Sequence, residues 1–147
     1  MRLDDETFKC IVKYAPLISI DIIVKNEDRY LLGKRVNKPA KGYYFTTGGR
    51  IYKNETIENA IIRIAKEELG IKLEKELKFL GVFEHFYKDA IYENVDTHYV
   101  NLGYLLEIDK LEELPKTQHS EYVYFTKQEI LSSDKVHKYV KDYFERI

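Results

Sequence analysis

The stretch GGRIYKNETIENAIIRIAKEELGI, residues 48 to 71, sets Glu55, Arg63, Glu67 and Glu68 along one helical segment, 55 to 69. At about 100° per residue, Ile57, Ala60, Ile61, Ile64 and Ile71 share an apolar stripe centred near Ile64. Glu68 lies about 40° from Ile64, on that stripe, and Glu67 about 60° to the other side. A carboxylate along an apolar stripe is costly unless something neutralises it. Arg63 stands four residues before Glu67, which makes Glu67 its natural partner. Glu68 then needs a partner from outside the helix, and a divalent cation is a suitable one. The alternative is that the stripe ends before Glu68, which is then solvated in the last turn.

Other residue types able to do chemistry are scattered. Asp21 is the odd residue within the apolar run LISIDIIV, on the side of Leu17, Ser19 and Ile23. A polar strand end near a turn is its plain explanation. His119 follows Gln118, and a histidine suits general-base work because its ordinary pKa lies near neutral pH. Structural or solvated roles are the alternative for any of the four histidines, and a surface loop for Gln118. Arg35 and Arg50 flank strand candidates; a guanidinium presents a fixed fork to phosphate oxygens, though surface arginines are common.

The elements that must position these residues read as follows. Residues 4 to 13 form a short helix ended before Pro16. LISIDIIV (17–24) is a buried strand, and a turn at Asn26, Glu27 and Asp28 leads to a second, RYLLGKR (29–35). VNKPAKG (36–42) is loop, and YYFTT (43–47) is a third strand ending in the glycine pair. Asn54 or Thr56 caps the helix 55–69, and Gly70 ends it. Strands follow near 77–87, 97–108 and, after a loop through Pro115, 121–125. The C-terminus is helical from about Asp134. This order predicts an α+β fold, with helices packed on a mixed sheet.

The length, 147 residues, suits a single domain, 1–147, with a real core. Lys plus Arg (24) nearly balance Asp plus Glu (25), which argues against a nucleic-acid or membrane-surface partner. The N-terminus is too charged for a signal peptide, and no apolar run approaches the roughly 20 residues of a membrane span, so a cytoplasmic location is expected. The one cysteine, Cys10, excludes an internal disulfide and is expected on the inward face beside Leu3, Ile11 and Val12. Twenty aromatics, 13 of them tyrosine, suit a well-filled core or a base-stacking site equally.

Gly49, Glu55, Arg63 and Glu67-Glu68-Leu69-Gly70-Ile71 resemble the Nudix box, GX5EX7REUXEEXGU, at every fixed position but one. The glutamate expected after the arginine is Ile64. The resemblance implies an α/β/α sandwich with a mixed sheet. Loss of that glutamate means either a dead enzyme or a different reaction. It also matches one branch, the GDP-mannose mannosyl hydrolases, which lack it and attack the sugar carbon. PLISIDIIV, LLGKRVNKPAKGYYF, GGR, EHFY, THYV, QH and SSDKVH are similar to segments of that branch.

The branch resemblance implies the following roles. The Gly48 carbonyl, the Glu68 carboxylate and the Gln118 side chain bind Mg²⁺, with Mn²⁺ as a substitute. His119 is the base, and Arg35 and Arg50 hold the diphosphate. Asp21 contacts the sugar or faces positive charge at its anomeric carbon, and His85 and Tyr99 line the same pocket. Hydrolysis of GDP-mannose or GDP-glucose to GDP and free sugar, with inversion, and a homodimer are implied too. One departure is Glu67, acidic where the branch tolerates a non-acidic residue. It pairs with Arg63, or it preserves metal binding for attack at phosphorus. An ordinary Nudix pyrophosphohydrolase and an inactive nucleotide-sugar sensor are the rival readings.

Overall fold

The computed structural model of this protein describes residues 2–109 and 119–147. The β-branched run forms β1 (Leu17–Asn26), and a turn with Glu27 at φ 56° reverses the chain into β2 (Arg29–Arg35). These strands pair only near the turn, from Asn26↔Arg29 to Val24↔Leu31. Beyond it they separate. The next segment enters the gap, with β3 (Tyr44–Phe45) on β2 and β4 (Thr47–Arg50) on β1.

The other edge of β1 pairs in parallel with β6 (Thr97–Glu107), which pairs antiparallel with β5 (Lys78–Tyr87). On the far side, β7 (His119–Thr126) pairs with β2. This is the mixed sheet the sequence predicts. Helix α1 (Asp5–Tyr14) precedes β1, and α2 (Ile57–Leu69) follows β4. Helices α3 (Lys127–Ser132) and α4 (Lys138–Tyr143) follow β7.

Both faces of β1 are covered, which explains its nearly continuous apolar sequence. Ile20, Ile22 and Val24 pack against Ala60, Ile64 and Leu69 of α2. Ile23, on the other face, packs with Ile130, Val140 and Tyr143 of the C-terminal helices. Helices therefore lie on both sides of the sheet, in the α+β sandwich that the resemblance implies. No described helix is long and apolar enough to cross a membrane.

Several expectations need correction. The third strand does not end at the glycine pair: it breaks at Thr46 and resumes as β4 through Gly48 and Gly49, because β1 offers a free edge there. Ile57 is 47% exposed, and the buried residues of α2 are Ala60, Ile64, Ala65, Glu68 and Leu69. A wheel gives direction but not how far the sheet extends beneath the helix. Cys10 is exposed. Helix α1 packs Phe8, Ile11 and Val12 at helical spacing, which turns Cys10 outward. Strand β7 starts at His119 rather than 121, and α3 has no counterpart among the expected elements, although Thr126 and Glu129 form a capping box at its start. Thr56, not Asn54, caps α2, and Gly70 ends it with φ 69°.

Candidate active site

The separation of β1 from β2 leaves a cleft of about 590 Å³. Asp21, Arg35, Gly48, Arg50, Glu68, His85, Tyr99 and His119 all line it. Gln118 lies outside the described residues. The other eight residues singled out in the sequence thus converge on one cavity from separate elements of the fold.

The floor is an array set by strand register. Side chains aligned across neighbouring strands point to one face of a sheet. Leu17, Ser19 and Asp21 of β1 stand beside Tyr99, Asn101 and Gly103 of β6, which stand beside His85, Phe83 and Gly81 of β5. Asp21 is mid-strand and buried, not a solvated strand end. Its carboxylate accepts a hydrogen bond from the Tyr143 hydroxyl. Burial pushes the Asp21 pKa up to about 7, against the opposing effects of Tyr143 and Arg35. Gly103 makes room for this contact, since a Cβ there would meet the Tyr143 ring at 2.7 Å.

Gly48 lies opposite Asp21. The Ile51 N–H donates to the Ile18 carbonyl at 2.8 Å, so the hydrogen-bonded pairs of this ladder are Ile18/Ile51, Ile20/Gly49 and Ile22/Thr47. The Gly48 carbonyl therefore faces away from β1, off the free edge of β4. Glu68 lines the same cleft with only 7% of its surface exposed, which rules out the solvated reading. The neighbouring Tyr122 phenol is pushed up to about 12 by burial and by the Glu68 charge.

His119 faces Arg35 in the β7–β2 register and is buried. Neither ring nitrogen has a hydrogen-bond partner among the described residues. Burial first, and Arg35 second, lower its pKa to about 4, so the ring is neutral at pH 7. The Arg35 Nε donates to the Pro39 carbonyl at 2.9 Å. Arg50 is held between the Phe8 and Tyr52 rings, 5.0 Å from each centroid, a cation–π arrangement that fixes a long side chain in the cleft lining.

A family model described as NUDIX domain matches residues 15–146. This chain belongs to the Nudix family. It is 36% identical over 147 residues to the low-salt glycan biosynthesis protein Agl8 of Haloferax volcanii, covering 99% of this chain and 91% of that protein. It is 31% identical over 93 residues to an ADP-ribose pyrophosphatase of Methanocaldococcus jannaschii, covering 63% of this chain and 52% of that one. The MutT Nudix hydrolase of Burkholderia pseudomallei shares the fold, with a TM-score of 0.70 at 24% identity over 90% of this chain and 98% of that one.

Within the Nudix box, Arg63 is a clamp. Its guanidinium meets both Glu55 oxygens at 2.7 and 3.0 Å, donates to the Arg50 carbonyl at 2.7 Å and lies 3.8 Å from the Tyr52 ring centroid. Glu67, the partner expected from helical spacing, also pairs with it at 3.1 Å, but Glu55 is the closer ion partner. Ile64 is 1% exposed and packs over Gly49, whose missing Cβ would meet Ile64 Cγ1 at 3.1 Å. Among the described residues no group of three His, Cys, Asp or Glu side chains is set for a metal. A Gly48 carbonyl with one carboxylate is an all-oxygen set, which fits a hard cation such as Mg²⁺ and not a zinc site.

Residues not singled out from sequence also shape the cavity: Gly33, Thr46, Asn101 and Tyr143. An isolated glycine inside a strand signals a close approach, and Gly33 carries that signal. A Cβ on Gly33 would fall on the His119 ring. Gly33→Ala is therefore expected to push the imidazole aside and lower turnover roughly 10–100-fold. Steady-state kinetics with a melting curve checks this, and an unchanged rate would show that the ring position is not critical.

Proposed function

We propose that this Nudix protein hydrolyses a GDP-sugar, GDP-mannose first and GDP-glucose second, to GDP and free sugar by inverting attack of water at the anomeric carbon. The observation that carries the reading is Ile64, packed in the core where the box has a glutamate, beside a cleft that still holds Glu68, Arg35, Asp21 and His119. The single domain and the homodimer belong to the same reading. The Haloferax volcanii relative, named for glycan biosynthesis, supports a sugar-bearing substrate.

His119 takes the proton of the attacking water. The water oxygen bonds to the anomeric carbon as the bond from that carbon to the β-phosphate oxygen breaks, with the electron pair leaving on GDP. The transition state is oxocarbenium-like, and single displacement inverts the carbon. Arg35 and Arg50 meet the negative charge growing on the diphosphate. Asp21, in its ionised form, faces the positive charge on the sugar, and His85 and Tyr99 bound the sugar. Glu68, the Gly48 carbonyl and Gln118 would hold Mg²⁺ or Mn²⁺, which supplies positive charge against the leaving group.

Cleavage between phosphorus atoms is the second reading. Glu67 favours it, because it lines the cleft with a half-exposed side chain and could add a carboxylate to the metal site. Hydrolysis in ¹⁸O-labelled water separates the two. The expected result is unlabelled GDP with label in the sugar. Label in GMP or in sugar 1-phosphate would establish attack at phosphorus.

A further inference from the structure

Asn101 sits in the middle of β6, a strand interior where asparagine is disfavoured. It is 3% exposed and lines the cleft floor. Its amide Nδ2 has no hydrogen-bond partner among the described residues. Its cross-strand neighbours offer little: Phe83 is apolar, and Ser19 donates its hydroxyl to the Gly49 carbonyl at 2.9 Å. Leaving a buried amide donor unpaired is costly, whereas an apolar residue of the same size would pack there without that cost. A buried donor without a partner is explained when a ligand completes it.

The place identifies the ligand chemistry. Asn101 stands one side-chain step from Tyr99 on β6, diagonally from Asp21 on β1 and from His85 on β5. Those are the groups assigned to the sugar, on the floor of the cleft. Arg50 stands across Ser19 from Asn101 in the strand register, its guanidinium held between the Phe8 and Tyr52 rings. We propose that Asn101 is a specificity-determining residue whose amide donates a hydrogen bond to a hydroxyl or ring oxygen of the substrate's sugar. This rests on the nucleotide-sugar reading of the site, but not on which bond the enzyme breaks. A site built to hydrogen-bond a hydroxyl discriminates strongly against ligands that leave the donor unpaired.

Asn101→Leu keeps a similar volume and removes the donor. Affinities for GDP-mannose and for GDP are measured by calorimetry in a His119→Gln background, with and without the substitution. The expected result is GDP-mannose affinity weakened roughly 5–100-fold, with GDP affinity unchanged to about twofold. The melting temperature of the ligand-free protein is expected to rise, because an unpaired buried amide has been removed. Equal weakening of both ligands, or no weakening of GDP-mannose, overturns the proposal. So does a lower melting temperature with an unchanged affinity ratio, the mark of a structural role. Should Asn101→Leu not fold, Asn101→Ala also removes the donor, and the ratio of its two affinities supports or overturns the proposal on the same terms. The isotope experiment on the unsubstituted protein reports bond cleavage separately, so the two readings fail by different measurements.

Discussion

Replacing His119 by glutamine is expected to lower turnover of the nucleotide sugar by roughly 10²–10⁴ and to leave GDP affinity unchanged to about twofold. Glutamine keeps similar reach and hydrogen-bonding capacity but cannot take a proton. The groups assigned to GDP, Arg35 and Arg50, are held by other contacts: Arg35 by the Pro39 carbonyl and Arg50 by the Phe8 and Tyr52 rings. Neither anchor involves the imidazole. The ring nitrogens of His119 have no partner among the described residues, so the substitution breaks no side-chain hydrogen bond to any of them and the fold is expected to survive. Steady-state rates and calorimetric GDP binding on the same preparation check the split. An unchanged rate removes His119 from proton transfer. Loss of GDP binding in step with the rate would instead assign it to the leaving group.

Ile64→Glu completes the family box and is expected to destabilise the protein by about 2–4 kcal/mol when measured without divalent cations. Ile64 is packed with Ile20, Ile22, Ala60 and Leu69 and closes over Gly49. A carboxylate at that point would be desolvated, with the Glu68 charge one helical turn away. Ile64→Val removes only one methylene and should cost about 1 kcal/mol, which separates charge from packing. Urea denaturation of the three proteins gives the comparison. Equal stability of Ile64→Glu and Ile64→Val would mean that the position opens to water, and the loss of the glutamate would then not be a core adaptation.

Local patterns are legible because their causes are local. The α2 segment is set by apolar spacing, its Thr56 cap and Gly70. The β1 strand is set by β-branched residues, and the Arg63 to Glu67 pair by helical geometry. The box residues are legible for the same reason: they lie within one helix and the turn before it. Ile64 stands out in the sequence because a motif of fixed spacing makes one departure visible.

What the sequence leaves open depends on neighbours far along the chain. Glu68 reads as solvated or as buried until β4 lies beneath α2. Asp21 looks like a strand end until Gly48, Gly103 and Tyr143, which is 122 residues away, surround it. His119 is a strand residue because β7 pairs with β2 up to Arg35, and Gly33 leaves the space its ring occupies. Asn101 shows in the sequence only as a polar residue within a strand run, because an unpaired buried donor is a property of its surroundings and not of its own type. Sequence by itself determined the helix, the main strands and the chemistry its carboxylates, arginines and histidine could do. Tertiary structure alone decided which of them share a cavity, since sheet register and burial are set by pairings between distant segments.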